Sequence, residues 1–359
     1  MPRDREILDI AERFLNEEVA PQSVEIDLHR EALRRALNGL CQRELMALRR
    51  PQEYGGPAVA EPTFRQFQEE VARYSGSLAF LQTQHQSAVS MLAKSDNEEL
   101  KREYLPFMGN GDKLVGIGFS QLRRKGDPMM KAESCDGGYL LNGHVPWITG
   151  WSFYPEFLIG ATLPDGQAVF GIVPLTHSDD KNGKVTVSEP MRLAAMESAM
   201  TVTADFVNFH LAEEKVALIK PSNWIQNNDL INITLQGHFA LGCARAGLDI
   251  LQIAAEKKGL PFLRDAYQKL NEELEECRQA TTTAQATPNE ESTTERLQIR
   301  AWAIHLAVRC AHAAVAASSG AANSLSHPAQ RVYREALVYT VSAQTTPIME
   351  ATLKRIVGG

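Results

Sequence analysis

Gly137-Gly138-Tyr139-Leu140-Leu141-Asn142-Gly143-His144-Val145-Pro146-Trp147-Ile148-Thr149-Gly150-Trp151 is the stretch from which the rest of the chain can be read. Tyr139, Leu140 and Leu141 are strand formers, and Asn142-Gly143 behind them is a strong two-residue hairpin signal. A second strand is expected to leave through Val145 and carry Trp147, Ile148 and Thr149 to Gly150. In an ordinary hairpin that indole would pack into a core. Working outward, Leu114–Phe119, Phe157–Ala161, Ala168–Pro174, Lys184–Val187 and Met200–Val207 are similar β-branched or aromatic runs. Gly, Asp and Asn clusters separate them, which predicts a compact β domain over 112–215.

Both flanks change to a helical period. Ile7, Ile10, Phe14, Leu15 and Val19 recur at helical spacing up to Pro21. Further helices are expected over about Leu28–Leu48, Phe64–Ser75, Ser77–Ala93 and Glu98–Met108, giving an N-terminal helical domain over 1–111. Pro51-Gln52-Glu53-Tyr54-Gly55-Gly56 reads as an exposed turn. Beyond Pro221, Ile225–Lys258 reads as one long helix rich in small residues, and Leu263–Ala280 as a charged one. Thr281–Glu295 is polar and reads as a flexible connection. Arg296–Gly320 and Pro328–Ile356 then complete a four-helix bundle over 216–359.

The totals narrow the class. With 359 residues, 44% hydrophobic and 23% charged, the chain can bury cores for two or three domains. A net charge of -7 argues against nucleic-acid and anionic-membrane binding. No apolar run reaches the ~18–20 residues of a membrane span, and the charged N-terminal stretch lacks a signal-peptide core. The five cysteines lie far apart without a C-x-x-C pair, so reduced thiols in a cytoplasmic protein are expected, with no metal site.

Asn142-Gly143-x-x-x-Trp147-Ile148-Thr149 resembles the hairpin of the acyl-CoA dehydrogenase superfamily. The Pro51–Gly56 turn and the phrase Glu98–Gly111 are similar to further segments of that family, in the same order. The resemblance implies an α+β fold with an N-terminal helical domain, a central β domain and a C-terminal four-helix bundle. It also implies a flavin between sheet and bundle, with Trp147 against the ring and Ile148 and Thr149 at its pyrimidine and N5 side. Ser120 stands for the Thr that binds the pyrimidine in the family's T-E-P-x-x-G-S-D segment, and Asp127 is kept. Arg123, Arg124 and Lys125 are additions, readable as a solvated loop or as phosphate contacts to flavin or a CoA-like ligand.

The match continues in Pro328-x-x-Arg331-x-x-Arg334-Glu335-Ala336, preceded by Gly320 from the family's glycine pair. Gln344 and Thr345 fall in the segment that would border the flavin. Where the family carries an Arg-x-x-Phe-Gly segment for the flavin diphosphate, Lys257-Lys258-Gly259-Leu260 stands instead. The resemblance thus keeps the ring-contacting half of the flavin site and erodes the diphosphate half; FAD is the expected cofactor, with FMN or a degraded site that binds nothing as the alternatives. Dehydrogenation of an acyl thioester needs a carboxylate to take the α-proton. The family's usual Glu falls on Ala343 and its minority position on Asn232, so no catalytic residue is assigned. Asp229 and Glu350 nearby read as helix-surface charges. His85 and His238 are weak candidates, and a core histidine is the simpler account of both.

Three functions stay open: oxidation of an acyl-CoA, flavin-dependent monooxygenation with reduced flavin and oxygen, and a non-catalytic descendant that binds acyl groups or a partner. The expected assembly is a homotetramer or homodimer. Neither an electron acceptor nor a reductase can be named from the residues.

Overall fold

The expected order of helical, β and helical regions is the one observed in the computed structural model, which describes residues 2–286 and 292–358. The first region holds α1 (Pro2–Phe14), α2 (Ser23–Leu28), α3 (Arg30–Gln42), α4 (Glu61–Tyr74), α5 (Gly76–Leu92) and α6 (Glu98–Tyr104). Local chemistry starts two of these helices: Ser75 Oγ accepts from Leu78 N–H and Asn97 Oδ1 from Leu100 N–H, at 3.2 and 3.0 Å. The Pro51–Gly56 turn is held from within. Arg50, which is buried, donates to the Leu105, Pro106 and Gly55 carbonyls.

The sheet contains β1 (Val115–Gly118), β2 (Met130–Cys135), β3 (Gly138–Thr149), β4 (Glu156–Thr162), β5 (Ala168–Pro174), β6 (Ser178–Asp180), β7 (Gly183–Val187), β8 (Thr201–Ala212) and β9 (Val216–Lys220). Its order is β6-β7-β8-β3-β2-β4-β5-β9, with β1 parallel to β4. The last strand lies past the expected edge at Lys215, paired antiparallel to β5. Asn142-Gly143 is not a turn, which corrects the hairpin reading. β3 runs straight through it, and the chain reverses at Asp136-Gly137 between Cys135 and Gly138. The extra residue of a bulge lies opposite on β8 at Val207-Asn208, while Gly143, with a positive φ of 134°, lets the chain pass the Met129 carbonyl, with which a Cβ would collide. Asn142 Oδ1 accepts from Asn208 N–H and anchors the bulge at 2.8 Å.

The C-terminal region holds α7 (Trp224–Ile231), α8 (Gly237–Lys258), α9 (Pro261–Ala286), α10 (Thr293–Ser318), α11 (Pro328–Val341) and α12 (Thr346–Gly358). The single long helix expected over Ile225–Lys258 is broken at 232–236. Asn232 Nδ2 folds back onto the Asn228 carbonyl at 2.8 Å, and Arg296 Nη1 donates to the Ile231 carbonyl at 3.1 Å, so side chains take up the freed acceptors. Pro328–Ile356 is broken as well. Pro347 cannot donate to the Ala343 carbonyl, and Ala343 has a φ of 47°. The connection expected over Thr281–Glu295 is helical through Ala286 and again from Thr293, and 287–291 lie outside the described residues. α8 packs on α4, α9, α10 and α11. Its small residues allow this, because a Cβ at Gly242 would strike the Glu69 carbonyl and one at Gly247 the Cys310 carbonyl.

The Pro328–Ala336 motif clasps the regions together. Arg331 Nη1 pairs with Glu335 at 2.8 Å, and Glu335 Oε1 accepts from Gly76 N–H at the start of α5. Arg334 pairs with Asp27 of α2 at 2.5 Å. Among the described residues no helix is long and apolar enough to cross a membrane.

Candidate functional site

Two cavities lie along α7, where the turn after β1 meets the bundle. The smaller, about 70 Å³, is lined by Arg123, Asp229, Asn232, Arg300, Ala343 and Thr345 among others. The larger, about 240 Å³, lies between the Gln121–Met130 loop and the start of α7, with Arg124, Met129, Ser222 and Trp224 in its wall.

Folding thus brings Asn232 and Ala343, distant in sequence, to one wall. Asp229 joins them and is no free surface charge: it lines the cavity and takes a bidentate pair from Arg123 Nε and Nη2, both at 2.8 Å. That is a correction to the helix-surface reading. It also means that Arg123 is engaged by a carboxylate. Arg124 is exposed and touches Met129 Sδ at 3.1 Å. Glu350 stays on the surface, paired with Lys354.

The residues expected at a flavin ring are disposed unevenly. The Ser120 hydroxyl is buried with no partner, a polar group waiting for one. Trp147 is 48% exposed, so its indole is not used by the core. Ile148 is fully buried in the sheet core, and Thr149 Oγ1 shares a 3.0 Å hydrogen bond with Thr201 Oγ1. Thr345 lines the smaller cavity. Gln344 lies beside it and donates to the Thr340 carbonyl, whereas Gly320 sits in an exposed turn bordering neither cavity. Lys258 Nζ is occupied by the Ala317 carbonyl and Ser319 Oγ, at 2.6 and 3.2 Å.

Both histidine candidates are buried. His85 Nδ1 accepts from Val115 N–H at 3.0 Å and Nε2 meets the Met108 carbonyl at 2.9 Å. Burial pushes its pKa down to about 4, so it is neutral. His238 lies in the α4–α8 contact, 3.7 Å from Glu69, and Arg278 and His238 hold that carboxyl low despite burial. Neither ring borders either of the two cavities described above. Reading by sequence missed Arg300. It is 1% exposed on α10, with Nε and Nη1 unpartnered and Nη2 donating to the Ser342 carbonyl at 3.2 Å. Its sequence signal was weak, since it is one of three arginines, with Arg296 and Arg309, in an alanine-rich helical stretch.

Residues 1–112 match the family description "Acyl-CoA dehydrogenase, N-terminal domain". The mitochondrial isovaleryl-CoA dehydrogenase of Pongo abelii is 28% identical over 151 residues, 40% of this chain and 36% of that protein. The chain thus matches about a third of the length of that curated relative. The butyryl-CoA dehydrogenase structure from Megasphaera elsdenii superimposes with a TM-score of 0.81 at 18% identity, covering 99% of this chain and 98% of that one. KijD3, in complex with FMN and a dTDP-linked amino sugar, superimposes at 0.78 and 17%, covering 100% and 94%.

Proposed function

We propose that this chain, whose residues 1–112 match the N-terminal domain of acyl-CoA dehydrogenases and whose fold superimposes on theirs, belongs to that superfamily and is a flavin-dependent oxidoreductase acting on an acyl-CoA or related acyl thioester. The observation that carries the reading is the cavity shared by Asn232, Ala343 and Asp229. Both positions where the family places its base line it, and Asp229 is the carboxylate in its wall.

A bound FAD supplies the hydride acceptor; the remaining roles fall to the chain. The unpartnered Ser120 hydroxyl and the uncovered Trp147 indole are the groups assigned to the ring edge, with Thr149 and Thr345 as further candidates. FMN remains the alternative because Lys258 is already committed to α10. Arg124 at the larger cavity suits the phosphates of a CoA-like ligand. Asp229, the carboxylate in the cavity wall, is the group assigned to take the α-proton. The exposed stripe Tyr333, Leu337 and Val341 on α11, with Met349 and Leu353 on α12, supports a homodimer or homotetramer.

The test is anaerobic mixing of the flavin-loaded protein with acyl-CoAs. Bleaching of the ~450 nm flavin band is expected, and Asp229→Asn is expected to slow it on the order of a hundredfold or more. Oxygen consumption dependent on added reduced flavin would instead support monooxygenation, which the buried, neutral His85 does not favour. Neither signal would support the non-catalytic reading, which the existing Arg123–Asp229 pair favours.

A further inference from the structure

Arg300 is the buried cation that the proposed reaction leaves unused. Buried charges in folded proteins are paired or neutralised, because an unpaired one carries its full desolvation cost. Among the described residues no carboxylate pairs with Arg300. Its only partners are the Tyr339 and Ser342 carbonyls at the end of α11, at 3.5 and 3.2 Å, and both reach Nη2. Nε and Nη1 are buried and without a hydrogen-bond partner. Asp229, the carboxylate of the same cavity, is already held through both oxygens by Arg123. Burial alone pushes the guanidinium down to about 9, which still leaves it charged at neutral pH.

The place of this charge gives it meaning. Arg300 shares the cavity with Asn232 and Ala343, where no carboxylate stands, and with the neutral polar groups Thr345 and Gln236. The wall therefore carries a net donor set and no free acceptor charge. At about 70 Å³ the space exceeds the ~10–15 Å³ that one water needs, yet it suits a small polar group better than a long alkyl chain. A guanidinium recognises a carboxylate by charge-assisted hydrogen bonds.

We propose that this cavity is a carboxylate subsite, in which Arg300 pairs with a carboxylate borne on the acyl portion of the ligand. The thioester taken is then that of a dicarboxylic acid and not of a simple fatty acid. This assignment rests on the acyl-thioester reading above. The carboxylate chemistry itself does not, since a free small carboxylate would satisfy the same groups.

The experiment is calorimetric titration of the full-length protein with succinyl-CoA and butyryl-CoA, which differ by a carboxylate in place of a methyl group. Succinyl-CoA is expected to bind on the order of tenfold tighter or better, and the difference should vanish in Arg300→Met. The wild-type comparison needs no variant to fold, and Arg300→Lys, which keeps the charge, should show an intermediate preference. Acetate alone should give saturable heat in the wild type, weaker in Arg300→Met, and inorganic phosphate less than acetate. Acetate binding with no preference between the thioesters would overturn the acyl assignment in favour of a free carboxylate. Equal binding of both thioesters and no Arg300-dependent acetate heat would overturn the subsite, as would phosphate binding tighter than acetate. A colourless protein that still prefers succinyl-CoA would remove the flavin reading and leave the subsite standing.

Discussion

At the scale of single residues, His85 shows how a functional-looking side chain can be spent on architecture. It ties α5 to the chain before and within β1 by taking up two backbone groups. Its folded pKa is depressed from 6.5 to about 4, so between those values the unfolded chain binds a proton that the native state does not. Stability is therefore fully present above about pH 6.5 and is lost as pH falls toward 4, by roughly 3 kcal/mol from this group alone. Denaturant melts of wild type and His85→Gln from pH 4 to 7 check this: the wild type should show the steeper loss, and parallel curves would refute it. Asp229 teaches the opposite lesson. Its sequence neighbours, Asn228 and Leu230, suggest an ordinary helix surface. Its partner Arg123 comes from another domain, so its role was not legible locally.

Among the elements, α7 borders both cavities. It is short, and the broken segment at 232–236 separates it from α8. Its charged link to the turn after β1 is the Arg123–Asp229 pair, with side chains 27% and 16% exposed, and Trp224 packs edge-on against Phe170 of β5 at its start. Removing one partner of such a half-buried pair should cost about 1–3 kcal/mol. Arg123→Ala should therefore speed amide exchange across 224–236 by roughly ten- to a hundredfold, with α8 unchanged. Unchanged exchange in α7 would show that the pair does not hold it. The strands divide in a similar way. β4 and β5 were legible because their apolar runs are continuous, whereas β2, with Lys131, Glu133 and Ser134, is too polar to stand out. Asn142-Gly143 signalled a residue needing a special backbone conformation. Whether that becomes a turn or a bulge depends on the partner strand, and β8 made it a bulge.

For the whole molecule, the apolar residues left outside matter as much as the core. Tyr333, Leu337 and Val341 recur at intervals of four along α11, and Met349 and Leu353 continue the pattern on α12. A monomer would leave this face in water. The Leu337→Glu/Leu353→Glu variant should run as a monomer by light scattering where the wild type runs as a dimer or tetramer. Equal masses for the two would place the interface elsewhere or abolish it. The buried Gly76–Glu335 hydrogen bond and the Arg334–Asp27 pair join bundle to N-terminal helices within one chain, so the subunit's own architecture should survive that change.

The order of domains, the helical period of the flanks and the family motifs were all readable from the sequence, because each depends on local spacing of apolar, small and turn-forming residues. The absence of a carboxylate at Ala343 and Asn232 was readable too, since a missing side chain is missing in any fold. Tertiary structure alone decided that these two positions line one cavity, that Asp229 meets Arg123, and that Arg300 lines the same cavity without a carboxylate partner. Those facts are distances between groups far apart in the chain, and only packing sets such distances.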